Sequence, residues 1–103
     1  MNYAFRMKLK PDTVEEYKRR HDEIWPELAQ LLREAGIYDY SIFLDEEDMH
    51  LFAVLKLKET NMRELLPSHP VMRRWWTHMQ DLMYTQPDGR PTEWPLTPMF
   101  HLD

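Results

Sequence analysis

In residues 37–57, IYDYSIFLDEEDMHLFAVLKL, two apolar runs flank four consecutive acidic residues. Residues 37–44 alternate, with Tyr38, Tyr40, Ile42 and Leu44 pointing one way, and this period of two predicts a strand. DEED at 45–48 is too polar to continue it and reads as a turn. Residues 49–57 predict a second strand, which so short a turn pairs antiparallel with the first. On the N-terminal side, Val14, Tyr17, Ile24, Leu28, Leu31, Leu32 and Ala35 recur at helical intervals up to Gly36, after an Asp12/Glu15 capping pair. Pro26 lacks an N–H, so the helix is expected to break there and restart with Pro26 in its first turn. Residues 3–9 alternate as a strand closed by Pro11.

On the C-terminal side, a short helical piece runs from Thr60 to Pro67. Ser68 and Pro70 then open a helix through VMRRWWTHMQDLM (71–83), with Met72, Trp75, Trp76, Met79, Leu82 and Met83 as its inner stripe. TQPDGRP (85–91) is a loop turning at Asp88-Gly89. The tail 94–102 alternates but carries Pro95 and Pro98, so it is expected as an edge strand or a loosely paired one. The order strand-helix-strand-strand-helix-strand predicts an α+β, ferredoxin-like βαββαβ sandwich, one domain over residues 1–103. In the third strand Phe52 and Val54 make the face opposite Leu51, Ala53 and Leu55 apolar as well. Two helices cover only one side of the sheet, so a homodimer joined sheet to sheet is expected.

Charge and composition narrow the function. With 13 Lys plus Arg against 18 Asp plus Glu, the net charge is -5, and no basic stripe is present to neutralise a phosphate backbone. Nucleic acid is not an expected partner. MNYAFRMKLK has no secretory core, and the run LFAVL is too short to cross a bilayer, so a cytoplasmic protein without membrane attachment is expected. The absence of cysteine excludes thiol chemistry and cysteine-held metals. The five histidines show neither H-E-x-x-H nor i, i+4 spacing, so no metal site is expected, and no glycine-rich phosphate loop or G-x-S-x-G motif is present.

His21 occupies the gap in the apolar stripe between Tyr17 and Ile24. A lone histidine there is either a satisfied core residue or the border of a polar pocket. Tyr17 lies one turn before it on the same face, and Tyr40 comes from the adjoining strand. A core this small tolerates few unpaired polar atoms, each costing on the order of 1 to 3 kcal/mol, so their convergence points to a ligand or ordered water. Trp75 and Trp76 diverge by about 100° on a helix, so both cannot point to the centre of the core. They are either core and rim, or the floor and wall of a pocket suited to the C–H face of a sugar.

EEYKRRHDEIWPEL (15–28), DYSIFLD (39–45), VMRRWWTHMQDLM, QPDGRP and MFHLD together resemble the L-rhamnose mutarotases, over nearly the whole chain. The resemblance implies a dimeric α/β barrel of ferredoxin-like subunits. It implies an isomerase that interconverts the α and β anomers of L-rhamnose without metal or organic cofactor. By the same resemblance His21 is the proton donor, and Tyr17, Tyr40, Trp75 and Trp76 contact the sugar. The asparagine usual in the late P-D-N stretch is Gly89 here. Imidazole suits ring opening and closure because its ordinary pKa of about 6.5 lets it give and recover a proton near neutrality. The second proton carrier is a tyrosine hydroxyl, a water or a carboxylate. Two other readings share the architecture: a non-catalytic dimer that binds a small ligand, and a cofactor-free monooxygenase.

Overall fold

The computed structural model describes residues 1–103. Its elements are β1 (Asn2–Lys8), α1 (Val14–Asp22), α2 (Pro26–Glu34), β2 (Ile37–Asp45), β3 (His50–Leu57), a 3-10 segment (Arg63–Ser68), α3 (Pro70–Met79) and β4 (Trp94–Pro95). The strands form one antiparallel sheet in the order β2-β3-β1-β4. The fold is thus a small α+β unit, with a four-stranded sheet and helices packed on one side. No helix is long and apolar enough to cross a membrane.

Alternation sorts the strand residues between two faces. Phe5, Met7, Leu51, Ala53, Leu55 and Ile37 point inward and are buried against Leu28, Met72, Trp75 and Met79 of the helices. The outward row Phe43, Phe52, Arg6 and Trp94 crosses all four strands in register. Phe43 leaves 62% of its surface exposed, Tyr38 44% and Val54 41%.

Pro26 divides the first helical pattern as expected. It takes the first position of α2, and Trp25 before it is extended at φ -61, ψ 130, because the proline ring disfavours a helical predecessor. The expected Asp12 cap does not form. Asp12 sits at φ 62, and the N-terminal residue flanking α1 is Thr13, whose hydroxyl donates instead to the carbonyls of Lys10 (2.8 Å) and Leu82 (3.2 Å). Met49, at φ 61, belongs to the turn, so β3 starts one residue later than expected. α3 ends at Met79, and Leu82 and Met83 stay buried in the turn that follows it. In the tail only Trp94 and Pro95 pair with β1, at the sheet edge.

One correction bears on the site. Tyr38 and Tyr40 do not share a face. Asp39 is left-handed at φ 47, and a bulge between Tyr38 and Ser41 inserts one extra residue opposite β3. Ile37 opposite Leu57 and Ile42 opposite Ala53 therefore both face inward, and Tyr40 joins them while Tyr38 turns outward beside Lys56. Aspartate tolerates this conformation better than most residues, and its carboxylate lies 3.2 Å from Lys56 Nζ. Gly36, at φ +90, closes α2 under a tighter constraint, since a Cβ there would come within 2.9 Å of Asn61 Cβ.

Candidate active site

Tyr17 and His21 lie one turn apart on the inner side of α1, because the 3.6-residue period stacks i and i+4. Their ring centroids are 4.4 Å apart. The His21 Nδ1–H donates to the Tyr17 carbonyl at 3.1 Å; a carbonyl can only accept, so Nδ1 carries the proton and the neutral ring keeps its lone pair on Nε2. Trp75 from α3 meets this imidazole edge to face, with centroids 5.4 Å apart and planes at 90°. Behind Trp75 stand Trp25 at 5.1 Å and His78 at 5.6 Å, which hold the indole in place.

The two helices are tied together beside this cluster. Arg20, next to His21, points to the other side of α1 and reaches the end of α3. Its guanidinium donates to Asp81 at 2.8 and 3.2 Å and to the His78 carbonyl at 2.6 Å. This fork holds the Asp81 carboxyl below its ordinary pKa. It also fixes the spacing between the helix that carries His21 and the helix that carries Trp75.

A cavity of about 820 Å³ separates the helices from the inner face of the sheet, and Tyr17, His21, Tyr40, Trp75 and Trp76 all line it. Its size falls within the usual range for small-molecule sites, roughly 300 to 1,000 Å³. Most of its wall is hydrocarbon or aromatic, with polar groups at a few points. Trp75 is 5% exposed and Trp76 half-buried, so the adjacent indoles divide as floor and wall. Tyr17 is buried at 7%, and Tyr40 is 38% exposed overall while its hydroxyl is buried.

This environment sets the protonation states. Burial pushes the His21 imidazole below its ordinary pKa, against smaller opposing effects of the Tyr17 carbonyl and Asp22. Burial pushes the Tyr17 phenol up, and nearby Tyr40 adds to this. Tyr40 is raised by burial and by Glu93, with Arg63 opposing. At neutral pH the cavity therefore presents a neutral imidazole base beside two phenols that keep their protons.

Sequence reasoning did not single out Arg63, Arg90 or Glu93, which line the same cavity from the 3-10 segment and the late loop. Nor did it single out Trp25 and His78 behind Trp75. The one available signal was Trp25-Pro26, since a tryptophan forced into an extended conformation at a helix break has to pack somewhere.

Comparison with known proteins identifies the family. The family model described as L-rhamnose mutarotase matches residues 2–102. The L-rhamnose mutarotase of Burkholderia ambifaria is 61% identical over 97% of this chain and 96% of its own length. That of Jannaschia sp. is 56% identical over 97% and 96%. A crystal structure of an L-rhamnose mutarotase from Formosa agariphila superposes with a TM-score of 0.93 at 40% identity, covering 100% of this chain and 99% of that one. A match that spans the segments forming the cavity as well as the scaffold leaves one assignment: the chain belongs to the L-rhamnose mutarotase family, a group of isomerases.

Proposed function

We propose that the protein interconverts α- and β-L-rhamnopyranose in this cavity, with His21 as the proton shuttle. The observation that carries the reading is the imidazole fixed by its Nδ1–H, with Nε2 left to act at a cavity that has room for a monosaccharide. In the opening step Nε2 takes the proton of the anomeric hydroxyl, C1=O1 forms, and the C1–O5 bond breaks. O5 receives a proton from a phenol, for which Tyr17, stacked on His21, is the nearer group. Imidazolium and phenolate then face each other, which limits the cost of separating charge. Rotation about C1–C2 presents the other face of the aldehyde, and O5 adds to it as the two protons return. Trp75, Trp76 and Tyr40 line the sugar's path, and Trp75 also supports the imidazole. Atoms and protons balance within the site, so the scheme calls on no metal or organic cofactor.

The pH dependence tests this assignment. Burial lowers the His21 pKa, so the neutral base persists below pH 6.5, and kcat/KM is expected to stay flat from neutrality until it falls along an acid limb below that value. The same lowered pKa contributes stability that is present above pH 6.5 and lost as the pH falls through the folded value. The measurement is saturation transfer between the two anomeric proton signals, corrected for exchange in buffer. Enzymatic exchange that accelerates steadily as the pH drops below 7 would show that imidazolium, and not imidazole, starts the reaction.

The finer architecture belongs to the same proposal: a single ferredoxin-like domain over residues 1–103, acting in the cytoplasm as a sheet-to-sheet homodimer that closes a dimeric α/β barrel. The strand order and the exposed apolar residues Tyr38, Phe43 and Val54 on the outer face support it. Sedimentation at micromolar concentration is expected to give twice the chain mass of 12.7 kDa, and a clean 12.7 kDa species would exclude the dimer.

A further inference from the structure

The cavity contains an ion pair that the proton transfers above do not use. Arg63 begins the 3-10 segment and Glu93 immediately precedes β4, so thirty positions of chain separate them. The pairing of β4 beside β1 brings them together: Trp94 lies opposite Arg6, and the Leu96 N–H donates to the Ala4 carbonyl at 3.0 Å. Arg63 Nη2 then stands 3.6 Å from Glu93 Oε2, with the side chains only 27% and 32% exposed. That distance is an ion-pair distance, longer than a hydrogen bond. The guanidinium lies over the rings of Tyr3 at 4.2 Å and Phe5 at 5.7 Å, and the Arg63 backbone N–H donates to Asn61 Oδ1. It has no other carboxylate within ion-pair distance.

Tyr40 relates this pair to the reacting end of the cavity. It lines the same cavity as Tyr17, Arg63 and Glu93, and the charges of Glu93 and Arg63 act on its phenol. Arg90, the remaining charge near Glu93, opposes the upward push of burial on that carboxyl together with Arg63. The wall thus offers donors beside an acceptor, in the same cavity as the His21 cluster. Guanidinium can only donate hydrogen bonds and carboxylate can only accept them, whereas each sugar hydroxyl does both.

We propose that Arg63 and Glu93 form a diol clamp: neighbouring ring hydroxyls that include the one on C3 bind between them, which directs the anomeric carbon toward His21. The clamp rests on the reading that L-rhamnose is the substrate. Its members are binding and positioning residues, and proton transfer stays with His21.

Tryptophan fluorescence, which reports on Trp75 and Trp76 in the same cavity, measures the affinity without relying on turnover. Glu93→Gln and Arg63→Met are each expected to raise the Kd for L-rhamnose about tenfold or more, the usual worth of a hydrogen bond to a charged group. For 3-deoxy-L-rhamnose, which lacks the clamped hydroxyl, the same variants are expected to change Kd by less than about twofold. A wild-type protein that binds L-rhamnose while both variants keep its affinity overturns the clamp alone. Equal losses for both sugars also overturn it, since that pattern reports a distorted cavity. Failure of the wild type to bind L-rhamnose overturns the clamp together with the substrate assignment.

Discussion

Replacing His21 by Asn is expected to return anomer exchange to the rate in buffer, a loss of at least about 100-fold, because a positioned acid-base group contributes about 10² to 10⁴-fold. Asparagine cannot shuttle a proton near neutrality, yet it is small enough for the half-buried site and keeps a donor on the inner side of α1. The only hydrogen bond made by the His21 ring runs to the Tyr17 carbonyl within its own helix. Its loss costs about 1 kcal/mol at most, so the unfolding transition should shift little. Retained quenching of tryptophan fluorescence by L-rhamnose would show that the cavity is still formed. Undiminished exchange in a correctly folded His21→Asn protein would remove the imidazole from the mechanism. It would assign the proton transfers to another group of the cavity, whereas the non-catalytic ligand-binding dimer predicts no exchange above the buffer rate in the native protein either.

The sequence made the site legible where its members lie within one periodic element. Tyr17 and His21 share a helical face by spacing alone, and Trp75 and Trp76 must diverge by the same geometry. Tyr40 was assigned to the correct strand, but its inward direction rests on a left-handed Asp39, and one extra residue in a strand reverses every face assignment on one side of it. That is why strict alternation puts Tyr38 on the face of Tyr40 and Ile42, and Ile37 on the other. Arg63 and Glu93 were not legible for a different reason. Arg63 opens a short 3-10 segment and Glu93 lies in a loop, neither with a period to read, and the late loop reaches the cavity through the Thr85–Pro91 bridge and the edge pairing of Trp94 and Pro95. Charged residues in such segments look like ordinary solvated surface until the chain closes around them. The helix break at Pro26, in contrast, follows from covalent geometry that no tertiary contact can override.

Trp75→Ala is expected to lower the stability of the protein by about 3 to 5 kcal/mol, measured from the urea midpoint and slope. Trp75 is 5% exposed, and its ring touches those of His21, Trp25 and His78 at once. Removing it enlarges a space that already adjoins the substrate cavity, so water would reach the edge of the imidazole and weaken the burial that keeps His21 neutral. The acid limb of the exchange reaction should then move upward, toward the ordinary pKa of about 6.5. Trp76 offers the contrast, because it is half-buried and belongs to no such ring cluster. Trp76→Ala should weaken sugar binding while costing about 1 kcal/mol of stability or less. If both replacements cost the same stability, the division of the pair into floor and wall is wrong. The adjacent indoles would then act as a single packed unit, with the specificity of the cavity residing in its polar wall.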